Sequence, residues 1–151
     1  MGEYKMTVPE MTIPEICTFE HIYKRASDKV ASSAPCRAAL MLPSDINTLK
    51  AFHRAVTEGL IEPTVIGNKD SFAELYTAEK MQFEDLKFIE AEKFDGTISM
   101  AADMAARGEI DLIINGAIPV ADMLGRLFKS EARFLLKNRT VSHIALLKPE
   151  K

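Results

Sequence analysis

Three short stretches of this 151-residue sequence carry residue types suited to holding an anion. Gly67-Asn68-Lys69 places a glycine, which lets backbone N–H groups approach a ligand closely, next to a lysine that can meet a phosphate as a point charge. Asn115-Gly116 sets a second glycine ahead of a helix that begins near Pro119. The first turn of that helix offers unpaired N–H groups and the positive end of a dipole. Further on, Arg126, Lys129, Arg133, Lys137 and Arg139 set five cations against the single acid Glu131. Each stretch also has a plainer reading. Gly67-Asn68 can be a turn whose residues accept positive φ, and Asn115-Gly116 a strand-to-helix turn with Asp122 already complementing the dipole. The basic run can be a solvated helix face. Ser142-His143 pairs a hydroxyl with an imidazole. Neighbouring residues on a strand point to opposite faces, so the two cannot form a hydrogen-bonded dyad, although either could position a ligand.

Other chemistries find little support. Cys17 and Cys36 are too few for a disulfide framework or a zinc site, and neither has a neighbouring His or Lys to activate it. His21 reads as a surface residue and His53 as part of a core-facing helical stripe. With His143 they give no metal-ligand spacing, so no metal is expected. No G-x-G-x-x-G, P-loop or serine-hydrolase elbow occurs. The net charge of -3 gives no general attraction to nucleic acid. No apolar run approaches the ~20 residues of a membrane helix, and no signal-peptide core opens the chain, so a cytoplasmic location is expected.

The elements that position these stretches follow from periodicity. Residues 1–17, with Pro9 and Pro14, read as an arm ahead of a single α/β domain over 18–151. Thr18 is placed to cap a helix over 19–33, followed by a strand at 37–42. Ser44 or Asp45 can cap the next helix, with Ile46, Leu49, His53, Val56 and Leu60 near one face, Phe52 beside them and Gly59 ending it. A strand at 63–66, a helix at 70–78 and a weaker strand at 86–89 come next. Thr97 is then expected to cap a helix ended by Gly108. A strand at 111–114, the helix from Pro119 to about Lys129 or beyond and a last strand at 141–147 complete the series. Strands alternating with helices predict a three-layer α/β domain, a mostly parallel sheet covered on both faces. Ligands of such sheets bind beyond the carboxyl ends of the strands. That singles out the turns at 43–45, 67–69 and 115–117.

Three segments in register resemble the phosphate acetyl/butyryl transferase family. They are the helix and strand from Asp45 to Gly67, with Glu58-Gly59-Leu60-Ile61-Glu62-Pro63; the stretch from Ala101 to Leu124, with Gly108 and Asp111-Leu112-Ile113-Ile114; and Val141-Ser142-His143-Ile144. The resemblance implies a fold like the first domain of the isocitrate/isopropylmalate dehydrogenase type. It also implies a part in acyl-CoA + phosphate = acyl phosphate + CoA. Coenzyme A would be substrate or ligand, with no tightly bound cofactor, and Gly67, Lys69, Asn115, Gly116, Arg126, Arg133, Ser142 and His143 are the candidate binding residues. The family's catalytic groups lie mostly later in its chain, so this stretch alone is expected to be inactive and to act as a homo-oligomer or with a separate second half. The alternative is a non-catalytic module that binds CoA, a nucleotide or an anion. The sequence departs from the family at three places: Ile114-Asn115-Gly116 stands for Met-Lys-Gly, Val120 for a Thr, and Phe134-Leu135-Leu136 for Gly-Leu-Arg.

Overall fold

The computed structural model describes residues 18–82, 86–91, 93–116, 118–129, 142 and 144–147. Helix α1 (Phe19–Ser32) leads into strand β1 (Cys36–Met41). There follow α2 (Ile46–Thr57), β2 (Ile61–Gly67), α3 (Lys69–Ala78), β3 (Lys87–Glu90), α4 (Phe94–Ala106), β4 (Leu112–Asn115) and α5 (Val120–Lys129). The four strands form one parallel sheet in the order β3-β2-β1-β4. The chain therefore steps outward from β1 to β3 and then returns to the other side of β1 for β4.

Two apolar layers cover the sheet. Leu40 and Val65 point to the face closed by Leu49 and Phe52 of α2 and Phe72 of α3. Ala39, Met41 and Ile66 point to the opposite face, closed by Ile98, Ala101 and Ala102 of α4 and Leu127 of α5. Alternation along a central parallel strand gives each face its own side chains, so β1 is apolar on both. Ala38, Ala39, Leu40 and Met41 are accordingly all inaccessible to solvent. The domain is thus three layers, helix–sheet–helix, as the alternating pattern predicts.

Local chemistry sets most of the boundaries. Thr18 Oγ1 accepts from His21 N at the start of α1. Asp45 Oδ2 accepts from Thr48 N and Thr48 Oγ1 at the start of α2, at 2.7 and 2.6 Å. Asn68 Oδ1 accepts from Ser71 N at the start of α3. These are short side chains satisfying helix N–H groups that lack a partner. Gly59 and Gly108 follow α2 and α4 with φ of 69° and 68°, the left-handed conformation that glycine enters without a Cβ penalty.

Two expectations are corrected. Thr97 does not cap α4. That helix starts a turn earlier with Lys93 at its cap, and Thr97 is fully buried within it, its Oγ1 donating back to Lys93 O at 3.3 Å. The packing of Phe94 against the α4–α5 core extends the helix past a position where threonine would have been a good cap. The strand expected at 141–147 is also absent from its described residues. Ser142 and 144–147 lie outside the sheet and are exposed. An apolar run becomes a strand only where a neighbour takes its backbone hydrogen bonds, and periodicity does not report that neighbour. The arm at 1–17 lies outside the described residues.

At the amino ends of the strands, Arg37 joins β1 to the start of β4. Its Nε and Nη2 donate to the two Asp111 carboxylate oxygens at 2.9 and 2.7 Å, and its Nη1 donates to Gly108 O at 2.6 Å. The hydrogen bonds from Arg37 hold the Asp111 carboxyl below its ordinary value, and those from Thr48 do the same for Asp45. Both groups bind protons more weakly folded than unfolded. Their stabilisation is therefore complete above the unfolded value, about pH 4, and is lost as pH falls through the lowered folded values. Urea midpoints measured downward from neutral pH should fall through this acid window. Asp111→Asn should flatten that fall, and an unchanged slope in the variant would remove Asp111 from the account.

Candidate functional site

The registers align the carboxyl ends of the strands. Met41 lies beside both Ile66 and Asn115, and Gly67 lies beside Glu90. Gly67 and Gly116 therefore stand at the same height, on the two sides of the chain leaving β1. The residue between them is Leu42. Its Cα lies 3.6 Å from where a Gly67 Cβ would be, and its carbonyl oxygen 2.4 Å from where a Gly116 Cβ would be. Leu42 has φ of 44°, a left-handed backbone that a bulky residue adopts at a cost of order 1–3 kcal/mol. Beyond it Pro43 is buried and Ser44 exposed.

This point has a particular place in the topology. The chain leaving β1 turns to α2 on one face, and the chain leaving adjacent β4 turns to α5 on the other. Where neighbouring strands send their connections to opposite faces, a crevice opens beyond the carboxyl ends. Its floor is the contact between the two connections, where Gly116 N donates to Met41 O at 3.0 Å.

The sequence-derived residues divide on inspection. Gly67, Lys69, Asn115 and Gly116 are brought to this one rim. Several of their polar groups are already engaged. Asn115 Nδ2 donates to Ile118 O at 2.6 Å, while Asn115 Oδ1 accepts from Ile118 N at 3.2 Å. Lys69 N donates to the Glu90 carboxylate at 3.2 and 3.4 Å. Arg126, on α5, pairs with Asp95 and lies 5.1 Å from the Phe94 ring centroid, joining α5 to the first turn of α4. Ser142 is exposed and outside the sheet. Arg133 and His143 lie outside the described residues, as do Lys137 and Arg139. His53 is half-buried with its Nε2 2.9 Å from Gln82 O, and His21 is exposed, both as the helical pattern indicates.

Sequence reasoning missed Leu42, Glu90, Lys93 and Asp95. The pre-proline position of Leu42 argues for extended backbone, so its left-handed turn had no local signal. Glu90, Lys93 and Asp95 reach the rim only because β3 and the start of α4 end there. Together they make the electrostatics mixed. Asp45, Asp70, Asp95 and Asp122 each stand at or within the first turn of a rim helix. Glu90 accepts from the first N–H of α3, while Lys69 and Lys93 supply positive charge. An incoming anion would compete with carboxylates for the helix ends. Among the described residues no group of three or more His, Cys, Asp or Glu side chains is placed to hold a metal ion. No described helix is long and apolar enough to cross a membrane.

Fold and rim define a doubly wound α/β domain with its crevice at the β1/β4 switch point. No family model matches the chain. It is similar to a phosphate butyryltransferase from Clostridium acetobutylicum, with 22% identity over 123 residues that cover 82% of this chain and 40% of the relative. The chain thus spans about two fifths of that relative's length.

Proposed function

We propose that this domain is the front part of a phosphate acyltransferase and that its rim receives the phosphate-bearing portion of coenzyme A or an acyl-CoA. The observation that carries the reading is Gly67. Its φ lies outside the left-handed region, and an added Cβ would meet Leu42 and Pro43 at 3.6 Å, an ordinary contact. Among the described residues nothing in the fold calls for a glycine there. Close approach of a ligand to the backbone is a reason, and Lys69 two residues on supplies the charge. The weak similarity to a phosphate butyryltransferase over most of the chain agrees with this. Gly67 and Lys69 are the contacts proposed, with Asn115 and Gly116 shaping the floor and Arg126 holding α4 against α5. Arg133, Ser142 and His143 are further candidates for the same ligand. The acyl-transfer step is assigned to polypeptide equivalent to the part of the relative that this chain does not match.

The test is binding of CoA, butyryl-CoA and inorganic phosphate to the 151-residue chain by calorimetry and thermal shift. A ligand at 100 times its Kd stabilises the fold by about 2.7 kcal/mol. Gly67→Ala should keep the melting temperature of the free protein while weakening CoA binding about tenfold or more, which is ~1.4 kcal/mol. Lys69→Glu should act in the same direction. No binding by the wild-type chain, or Gly67→Ala binding as well as wild type, ends the proposal.

A further inference from the structure

The outer side of β4 has no strand beside it among the described residues. Sheets protect such edges with lysine, proline, bulges or inward charges. Leu112-Ile113-Ile114-Asn115 contains no charge and no proline, and Leu112 is 44% exposed. The same chain carries a segment with the complementary lack. Residues 144–147, Ile-Ala-Leu-Leu, are uncharged and apolar, lie outside the sheet, and expose Ile144 by 81%, Leu146 by 61% and Leu147 by 84%. Edge and segment are each four residues long. The edge offers backbone hydrogen bonds and an apolar margin, and the segment has side chains to bury. In the single chain the segment does not lie on its own edge.

The geometry points to a pairing between copies, in which residues 144–147 of one copy add to β4 of another as a fifth strand. This is strand addition to an open sheet edge, with main-chain bonds supplying affinity and alternate side chains supplying fit. Reciprocal exchange closes a two-fold dimer, whereas one-way addition continues head to tail. The inference is independent of the acyltransferase reading, since it uses neither Gly67 nor Lys69.

The experiment is a concentration series of the full chain by light scattering or sedimentation. The expected wild-type species has at least twice the 16.8 kDa chain mass. Leu112→Asp and Leu146→Asp alter the edge and the segment separately. Both positions are exposed, so each variant should fold with unchanged circular dichroism and run as a monomer. An equimolar mixture of the two restores one intact edge and one intact segment, and it should form a pair that neither variant forms alone. Nonspecific apolar adhesion would not show that complementation. A wild-type chain that is monomeric throughout, a variant that still self-associates, or a mixture that fails to pair would overturn the proposal. So would slow amide exchange at 144–147 in a monomer, because the occupant of the edge would then be the chain's own segment.

Discussion

Gly116→Ala should unfold the domain or reduce its stability by about 4 kcal/mol or more, beyond the ~1–3 kcal/mol of ordinary overpacking because the atoms overlapped belong to the backbone. A Cβ at this position would lie 2.4 Å from Leu42 O, 2.5 Å from Met41 O and 2.9 Å from Leu42 C. All three are backbone atoms, so no rotamer change relieves the overlap. Moving the β4–α5 connection away instead would stretch the Gly116 N to Met41 O hydrogen bond that forms the crevice floor. It would also disturb Ile118, which is buried in the α4–α5 core. Equilibrium urea unfolding of Gly116→Ala beside Gly67→Ala makes the comparison clean, because the two glycines sit at the same height on either side of Leu42. The second change should be neutral or slightly stabilising, by up to about 1 kcal/mol through the unfolded chain. If both variants proved equally stable, the close approach of Gly116 to β1 would be wrong.

The same pair shows how far the sequence can be read. Both glycines end strands and precede helices, so by local pattern they are equivalent. Only the distance of each from the backbone leaving β1 reveals that Gly116 is fixed by the fold, whereas among the described residues Gly67 is not. Legibility follows the range of the interaction. Thr18, Asp45, Gly59 and Gly108 act within a few residues of themselves, and each performs at a helix end as its type and position indicate. The layered architecture is equally legible, because alternating strands and helices leave few right-handed solutions. What fails is what depends on a distant neighbour. Thr97 has the chemistry of a cap, yet the core beneath Phe94 extends the helix past it. Residues 144–147 have the composition of a strand but no partner within the four-stranded sheet. Arg126 reads as a free cation in sequence, although Asp95, 31 positions earlier, pairs with it. Leu42 is the hardest case, since its left-handed backbone contradicts both its size and its position before proline.

Asn115→Lys should lower stability by about 2–3 kcal/mol, even though lysine is the residue that the resembled family places before this glycine. The departure from the family pattern is therefore more than the loss of a cation. Asn115 holds the connection after β4 by accepting from Ile118 N through Oδ1 and donating to Ile118 O through Nδ2. Both bonds are partly buried, and an amide is one of the few side chains that donates and accepts at this reach. Lysine has no acceptor, so Ile118 N would lose its partner beside the buried Ile118 side chain. Asn115→Asp separates the two halves of the bridge. It keeps the acceptor for Ile118 N, removes the donor, and sets a carboxylate against the Ile118 carbonyl, so its cost should also exceed 1 kcal/mol at neutral pH and shrink as the carboxyl is protonated in acid. Denaturant unfolding of both variants, with Asp measured across the acid range, decides the point. Stability of Asn115→Lys within about 0.5 kcal/mol of wild type, the range of an ordinary surface change, would mean that the bridge carries no weight. In that event Asn115 would return to the ligand-binding candidates with its side chain free to turn outward.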